Sequence, residues 1–376
     1  MHFNFDVLII GGGLAGLTTA LHLNKVGIAV VLIEKNPYPH HKVCGEYLSN
    51  EVLPYFKWLG IELENLNPTQ ISRLALTTKN GKNITVNLPL GGFGISRYEL
   101  DHFLYQKLIE RGVMVIEDTV DEVVFKDDQF FVNTKLHRNF EAKHVCGAYG
   151  KRSLIDIKLN RNFIKEKSAF LAVKAHYEGD FPEDMVALYT FDGGYCGVSK
   201  VENRKINICY LANYETFKRF KNLEEYQQEV LCKNLALKHI FDNCKIAFEA
   251  PLTISQLSFG SKDTIVNHVL MIGDTAGLIH PLCGNGMAMA IHSGKICAEL
   301  LIDFSNGKIK TREKLAQRYT AIWNKNFKGR LRTGSLLSYL LKKESITHII
   351  LKGLTKIPFL LTQVIKNTHG KPLINK

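Results

Sequence analysis

Six residues near the N-terminus, Gly11-Gly12-Gly13-Leu14-Ala15-Gly16, have the types and spacing needed to hold the diphosphate of a dinucleotide. In such a loop Gly11 permits a tight turn, and Gly13 lets the backbone approach the phosphates. Gly16 lets the next helix pack closely on the strand before it. The first N–H groups of that helix then face the anion. Glu34 follows Gly16 by 18 residues, where a carboxylate can accept a ribose hydroxyl. Lys35 joins it as a candidate cofactor contact. A glycine loop of this kind suits FAD and NAD equally.

The loop works only if flanking elements hold it. Asp6–Ile10 is a short apolar run, the pattern of a buried parallel strand. Leu14, Leu17, Leu21 and Val26 then recur at helical spacing, and Gly27 closes the helix. Ala29–Ile33 forms a second buried strand ending at Glu34. The stretch Ile71–Thr78, Asn80-Gly81, Ile84–Leu88 predicts a hairpin whose two turn residues both take positive φ. A helix is predicted over Tyr98–Glu110 and a strand over Val113–Ile116, with strand-like segments leading to Val145-Cys146. From about Ser168 to Phe259, strand-like runs surround helices near Leu223–Ile240, as in an inserted antiparallel sheet. A buried strand at Val269–Ile272 and a long helix near Met287–Leu301 return the chain to its first unit.

A second motif separates the dinucleotides. The run MIGDTAGLIHPLCGNGMAMAIHSG from Met271 resembles the GD segment of the geranylgeranyl reductase-like branch of the FAD-dependent hydroxylase superfamily. Gly277 and Gly294 fit the same pattern. The resemblance implies FAD, with Asp274 at the ribityl chain and Pro281, Gly284, Gly286 and Met287 beside the flavin ring. A helix N-terminus there would stabilise the negative charge that reduction places on the ring.

Ile95-Ser96-Arg97-Tyr98-Glu99-Leu100-Asp101 resembles the superfamily's S-R-x-x-L-D segment, which implies Arg97 against the cofactor as a cationic fork. Cys44-Gly45-Glu46 resembles a Cys-Gly segment near the flavin. Cys44 is therefore either a ring contact or proton donor, or a small residue in a tight turn. Asp192–Val198 resembles a glycine-aromatic strand facing the flavin. Tyr195, Cys196, His280 and Cys283 are candidates for the substrate side, with Cys44, Tyr195 and His280 the candidate catalytic residues. One departure stands out. Gly147-Ala148-Tyr149-Gly150 occupies the place of a G-A-D-G segment, so Tyr149 replaces an aspartate that serves both nucleotides. NAD(P)H stays open as the electron donor, by altered docking, alongside a different donor.

Charge excludes one class of partner. The net charge is +12, but residues 301–376 hold 16 Lys/Arg against 3 Asp/Glu, leaving the other 300 residues nearly neutral. Such a local basic surface does not suit a protein that coats nucleic acid. The region, with Lys325, Lys328, Arg330 and Arg332 before Leu336–Leu341 and an apolar stretch Ile346–Ile365, fits two arrangements. One is a helical cap with its lysines in water; the other is an amphipathic pair on an anionic membrane. Eight cysteines without CxxC spacing, and no metal-ligand pattern, fit reduced thiols and no metal site. No basic n-region precedes the first apolar run, so a cytoplasmic location is expected, including one peripheral on the membrane.

The expected fold is α/β: a discontinuous Rossmann-like FAD-binding domain (1–70, 95–160, 260–305), an inserted antiparallel β-sheet substrate domain (71–94, 161–259) and a basic helical C-terminal region (306–376). The leading expectation for activity is reduction or dehydrogenation of C–C bonds in a hydrophobic isoprenoid, polyene or polyketide-like substrate by hydride transfer through flavin N5. The alternatives are monooxygenation through a flavin hydroperoxide, and service as an electron-transfer flavoprotein.

Overall fold

A computed structural model describes residues 2–166, 169–255, 257, 259–341 and 358–374. Its first sheet has a parallel core, ordered Val269–Met271, Asn139–Gly147, His2–Ile10, Val30–Glu34, Met114–Glu117. The registers align the carboxyl ends: Ile10 lies opposite both Ile33 and Gly147, and Gly147 lies opposite Met271. The strand Val30–Glu34 is buried throughout, as a sheet covered on both faces requires. Helix Leu14–Lys25 joins His2–Ile10 to Val30–Glu34, Arg97–Glu110 leads into Met114–Glu117 and Gly286–Ser305 follows Val269–Met271, while the two hairpin strands Val120–Lys126 and Gln129–Thr134 extend the sheet antiparallel.

The second sheet holds nine strands and is antiparallel except where Met185–Phe191 runs parallel to Thr69–Thr77. Phe170–Glu178, Gly194–Lys200 and Ile206–Asn213 form its centre. The last strand-like stretch of this region forms two short strands, Lys245–Ile246 and Leu252–Ser255. Tyr47–Ser49, within the first 70 residues, also pairs in this sheet. The hairpin Thr69–Thr77 with Asn83–Gly94 forms, but not with the expected turn. Only Gly81 has positive φ (76°), and the loop closes through Gly81 N–H donating to Thr78 O and Thr78 N–H to Lys82 O. The longer loop removes the need for a left-handed Asn80.

The basic C-terminal region takes the cap arrangement over its described part. In the helix Arg312–Leu341, Leu315, Tyr319, Trp323 and Phe327 are buried in the main core. A side chain on Gly277 would meet the Trp323 ring at 2.8 Å, so that glycine lets the tail helix lie on the GD segment. Lys342, Lys343 and the apolar residues up to Ile357 lie outside the described residues.

Several imidazoles are buried, and the carboxylates of Asp128 and Asp6 near His144 do not offset its burial. Burial pushes His22, His144 and His369 down to about 4, helped by nearby cations. The unfolded chain binds protons there near 6.5 while the folded chain does not, so stability must fall with pH between 6.5 and about 4. Urea unfolding at stepped pH should show that decline; a level profile across the window would contradict neutral buried imidazoles.

Candidate active site

All parallel strands end at one crevice, and a cavity of about 1080 Å³ runs from it to the second sheet. Gly11 takes φ 106°, and a Cβ there would lie 2.5 Å from Ala148 O, so the loop passes directly over the neighbouring strand's end. Gly16 does not reach the cavity. A side chain on it would collide with the Gly11 carbonyl, which is the helix–strand packing role expected of it. Gly13 caps the helix Leu14–Lys25 with no side-chain hydrogen bond and lines the cavity. Glu34 lines it too, and its carboxylate accepts Gly12 N–H at 2.6 Å and Asn36 N–H at 3.0 Å. Exposed Lys35 stands at the same edge. Tyr38, which sequence reasoning missed, donates to Gly12 O at 2.5 Å and holds the loop from the side.

A second helix N-terminus opens on the same cavity. After a turn at Pro281–Cys283, Gly284 (φ 62°) leads to Asn285, and the helix Gly286–Ser305 begins with no side-chain cap. Pro281, Gly284, Gly286, Met287 and Asp274 all line the cavity. Two groups of orphan N–H donors therefore converge where an extended anionic ligand would satisfy them. The GD turn is braced from behind. Arg161, paired with Asp156 at 2.8 Å with both side chains fully buried, donates to Thr275 O at 2.9 Å. Lys262 donates to Asp274 O at 2.9 Å, and burial lowers its ammonium to about 8. These cations sit far apart in sequence and carried no local signal.

Arg97 differs from expectation in what holds it. Its Nε and Nη2 both donate to Asp101 at 2.7 Å, and Lys42 donates to the same carboxylate at 2.8 Å. Burial works against the charge on Asp101, but Arg97 and Lys42 hold it below the usual carboxylate range. The guanidinium lies 3.6 Å from where a Gly13 Cβ would stand. One edge of the fork is thus an anchor, and the arginine reaches the glycine loop as an oriented cation.

Of the candidate catalytic residues, Cys44 and Tyr195 line the cavity and His280 does not. His280 is buried among Phe170, Phe259 and Tyr195, and its Nδ1 accepts Leu282 N–H at 3.4 Å. It caps the turn Pro281–Cys283. Cys196 also faces away, since neighbours on the strand Gly194–Lys200 point to opposite sides, and it joins the second sheet's core. Cys283 lines the cavity, its thiol pushed up to about 12 by burial. Tyr149 lines the cavity with its hydroxyl 3.4 Å from Met271 Sδ, and burial raises its phenol. Glu46, adjoining Cys44, is fully buried and accepts Lys174 at 2.7 Å, His176 at 2.6 Å and Arg97 N–H at 2.8 Å. Lys174 and His176 share a strand face by their spacing, which was a readable signal.

Beyond the crevice the wall turns apolar. Leu74, Leu76, Val186 and Leu188 of the second sheet face Leu336, Leu361 and Ile365 of the C-terminal region. Among the described residues no cluster suits a metal ion.

A parallel sheet with two convergent helix N-termini and an apolar annex, together with the GD segment, fits an FAD-dependent oxidoreductase. The chain belongs to the FAD binding domain family, whose model matches residues 4–322. It is 26% identical over 341 residues to a digeranylgeranylglycerophospholipid reductase from Methanosarcina acetivorans, covering 85% of this chain and 80% of that one. Among solved structures, a geranylgeranyl bacteriochlorophyll reductase-like protein from Thermoplasma acidophilum superposes with a TM-score of 0.76 at 17% identity, covering 98% of this chain and 100% of that one. A flavin-dependent brominase gives a TM-score of 0.80 at 18% identity, covering 97% and 93%.

Asp101→Asn tests the anchor. It leaves Arg97 and Lys42 without their carboxylate and should cost about 3–5 kcal/mol of stability. Thermal unfolding and FAD retained after gel filtration would both drop; a variant that keeps full FAD content and stability would contradict the anchoring role.

Proposed function

We propose that the chain reduces or dehydrogenates carbon–carbon bonds of a hydrophobic isoprenoid, polyene or polyketide-like substrate. The observation that carries this reading is the continuity of one cavity from the glycine loop and GD turn to an aliphatic compartment. FAD, when bound, supplies the hydride chemistry. Gly11–Leu14 would take its diphosphate, Glu34 its ribose, and Asp274 with Pro281–Met287 its ribityl and ring. Arg97 adds positive charge over the loop. Tyr195 keeps its proton, because burial raises its phenol well above the ordinary value. Together with Cys44 it offers a proton at the junction of flavin and substrate spaces. The relative named as a digeranylgeranylglycerophospholipid reductase supports an apolar, unsaturated substrate.

The test uses FAD-loaded protein reduced anaerobically by NADH, NADPH or dithionite, then mixed with polyprenyl substrates. Flavin reoxidation with loss of a double bond, without oxygen, is expected. Product that forms only in air and carries an added oxygen atom would replace this reading with monooxygenation. Reoxidation by a protein acceptor alone would leave electron transfer.

Membrane contact is a further part of the proposal. Exposed Lys325, Lys328 and Arg332 lie on one helix face that ends at Leu336, which is 57% exposed and also lines the cavity. A basic stripe leading to an apolar mouth suits an anionic lipid surface. Among the described residues no helix is long and apolar enough to cross a membrane, so contact would be peripheral. Flotation with anionic vesicles should recover the protein, and reversing the three charges to Glu should abolish recovery. Equal recovery of both proteins would remove the idea.

A further inference from the structure

The C-terminal helix Pro358–Thr368 has a placement that neither motif nor family model covers. Leu361, Val364, Ile365 and Thr368 recur at the spacing of one helical face, and all four line the cavity. Leu361 and Ile365 are buried in a cluster with Leu74, Leu76, Ile84, Val86 and Leu88, so the helix closes the aliphatic compartment against the Thr69–Gly94 hairpin.

Hydrogen bonds at the C-terminal end of this helix tie it to the flavin-side segment. Thr368 O accepts Asn285 Nδ2 at 2.9 Å, and Asn285 is the residue immediately before the helix Gly286–Ser305. Buried Glu51 accepts Gly370 N–H at 2.5 Å through its carboxylate and Leu373 N–H at 2.7 Å through its backbone oxygen. Arg330 of the preceding helix reaches the same carboxylate at 3.5 Å. The end wall of the compartment and the segment beside the ring are therefore tied within one hydrogen bond.

We propose that the helix Pro358–Thr368 is the end wall of the substrate compartment, and that Leu361 and Ile365 set how long an apolar chain the site accepts. This rests on the reading that the compartment binds a hydrocarbon substrate. A chain whose reactive bond must lie at the ring can extend only as far as the wall allows. A larger side chain at Leu361 shortens the space, and a smaller one lengthens it.

The experiment uses FAD-loaded full-length protein and three probes of increasing length: geraniol, farnesol and geranylgeraniol. Binding is read from perturbation of the flavin absorbance, with FAD content and thermal unfolding measured on each variant. Leu361→Trp should weaken geranylgeraniol at least about tenfold, the scale on which a pocket rejects excess length, and leave geraniol unchanged. Leu361→Ala, which tests the wall without overpacking, should shift preference towards the longest probe. Equal weakening of all three probes, or no change with either variant, would overturn the wall while the wild type still binds them. A wild type that binds none of the three while retaining FAD would overturn the hydrocarbon reading itself, and the wall with it.

Discussion

Two helices start at the same crevice without side-chain caps, and the rest of the molecule is arranged around that fact. The N–H groups at Gly13–Leu14 and at Gly286–Met287 have no helical partners and face one cavity. Orphan donors in a partly buried place are costly unless a ligand or water meets them. The parallel sheet brings this about by ending its strands in register, so that both strand-to-helix turns open on one side. On the proposed reading, an extended anionic dinucleotide such as FAD would satisfy both ends at once.

The surrounding charges keep the two turns in place. Asp101 takes both Arg97 and Lys42, and Asp156 takes Arg161, which in turn grips the GD turn. Such buried pairs are poor sources of net stability but strongly resist loss of one partner. Here they hold cations beside the crevice where the proposed cofactor would sit. Glu46 does similar work between the sheets, joining the Cys44 loop and the helix start at Arg97 to Lys174 and His176.

Much of this was legible because it is local. The glycine loop, its strands and the acidic residue at Glu34 lie within 34 residues, and the GD segment is one continuous run. Spacing alone places their backbone groups. Where tertiary contacts decide, the sequence is ambiguous. The C-terminal region has the same amphipathic pattern whether it caps the protein or lies on a membrane, and the tertiary burial of Leu315, Tyr319, Trp323 and Phe327 shows the cap. His280 sits in the GD segment yet faces away from the cavity, since chain position does not fix side-chain direction through a turn. The braces Arg161 and Lys262 reach their carbonyls across more than a hundred residues and across twelve.

The central claim is that FAD spans the two helix N-termini with its ring between the Pro281–Met287 segment and the aliphatic compartment. A crystal structure of the FAD-loaded protein tests it directly. The account predicts diphosphate oxygens within hydrogen-bonding distance of the Gly13 and Leu14 amides, and ring edge atoms against Gly284–Met287 with Tyr195 on the open side. A ring lying outside this segment, or a diphosphate away from the glycine loop, would contradict it.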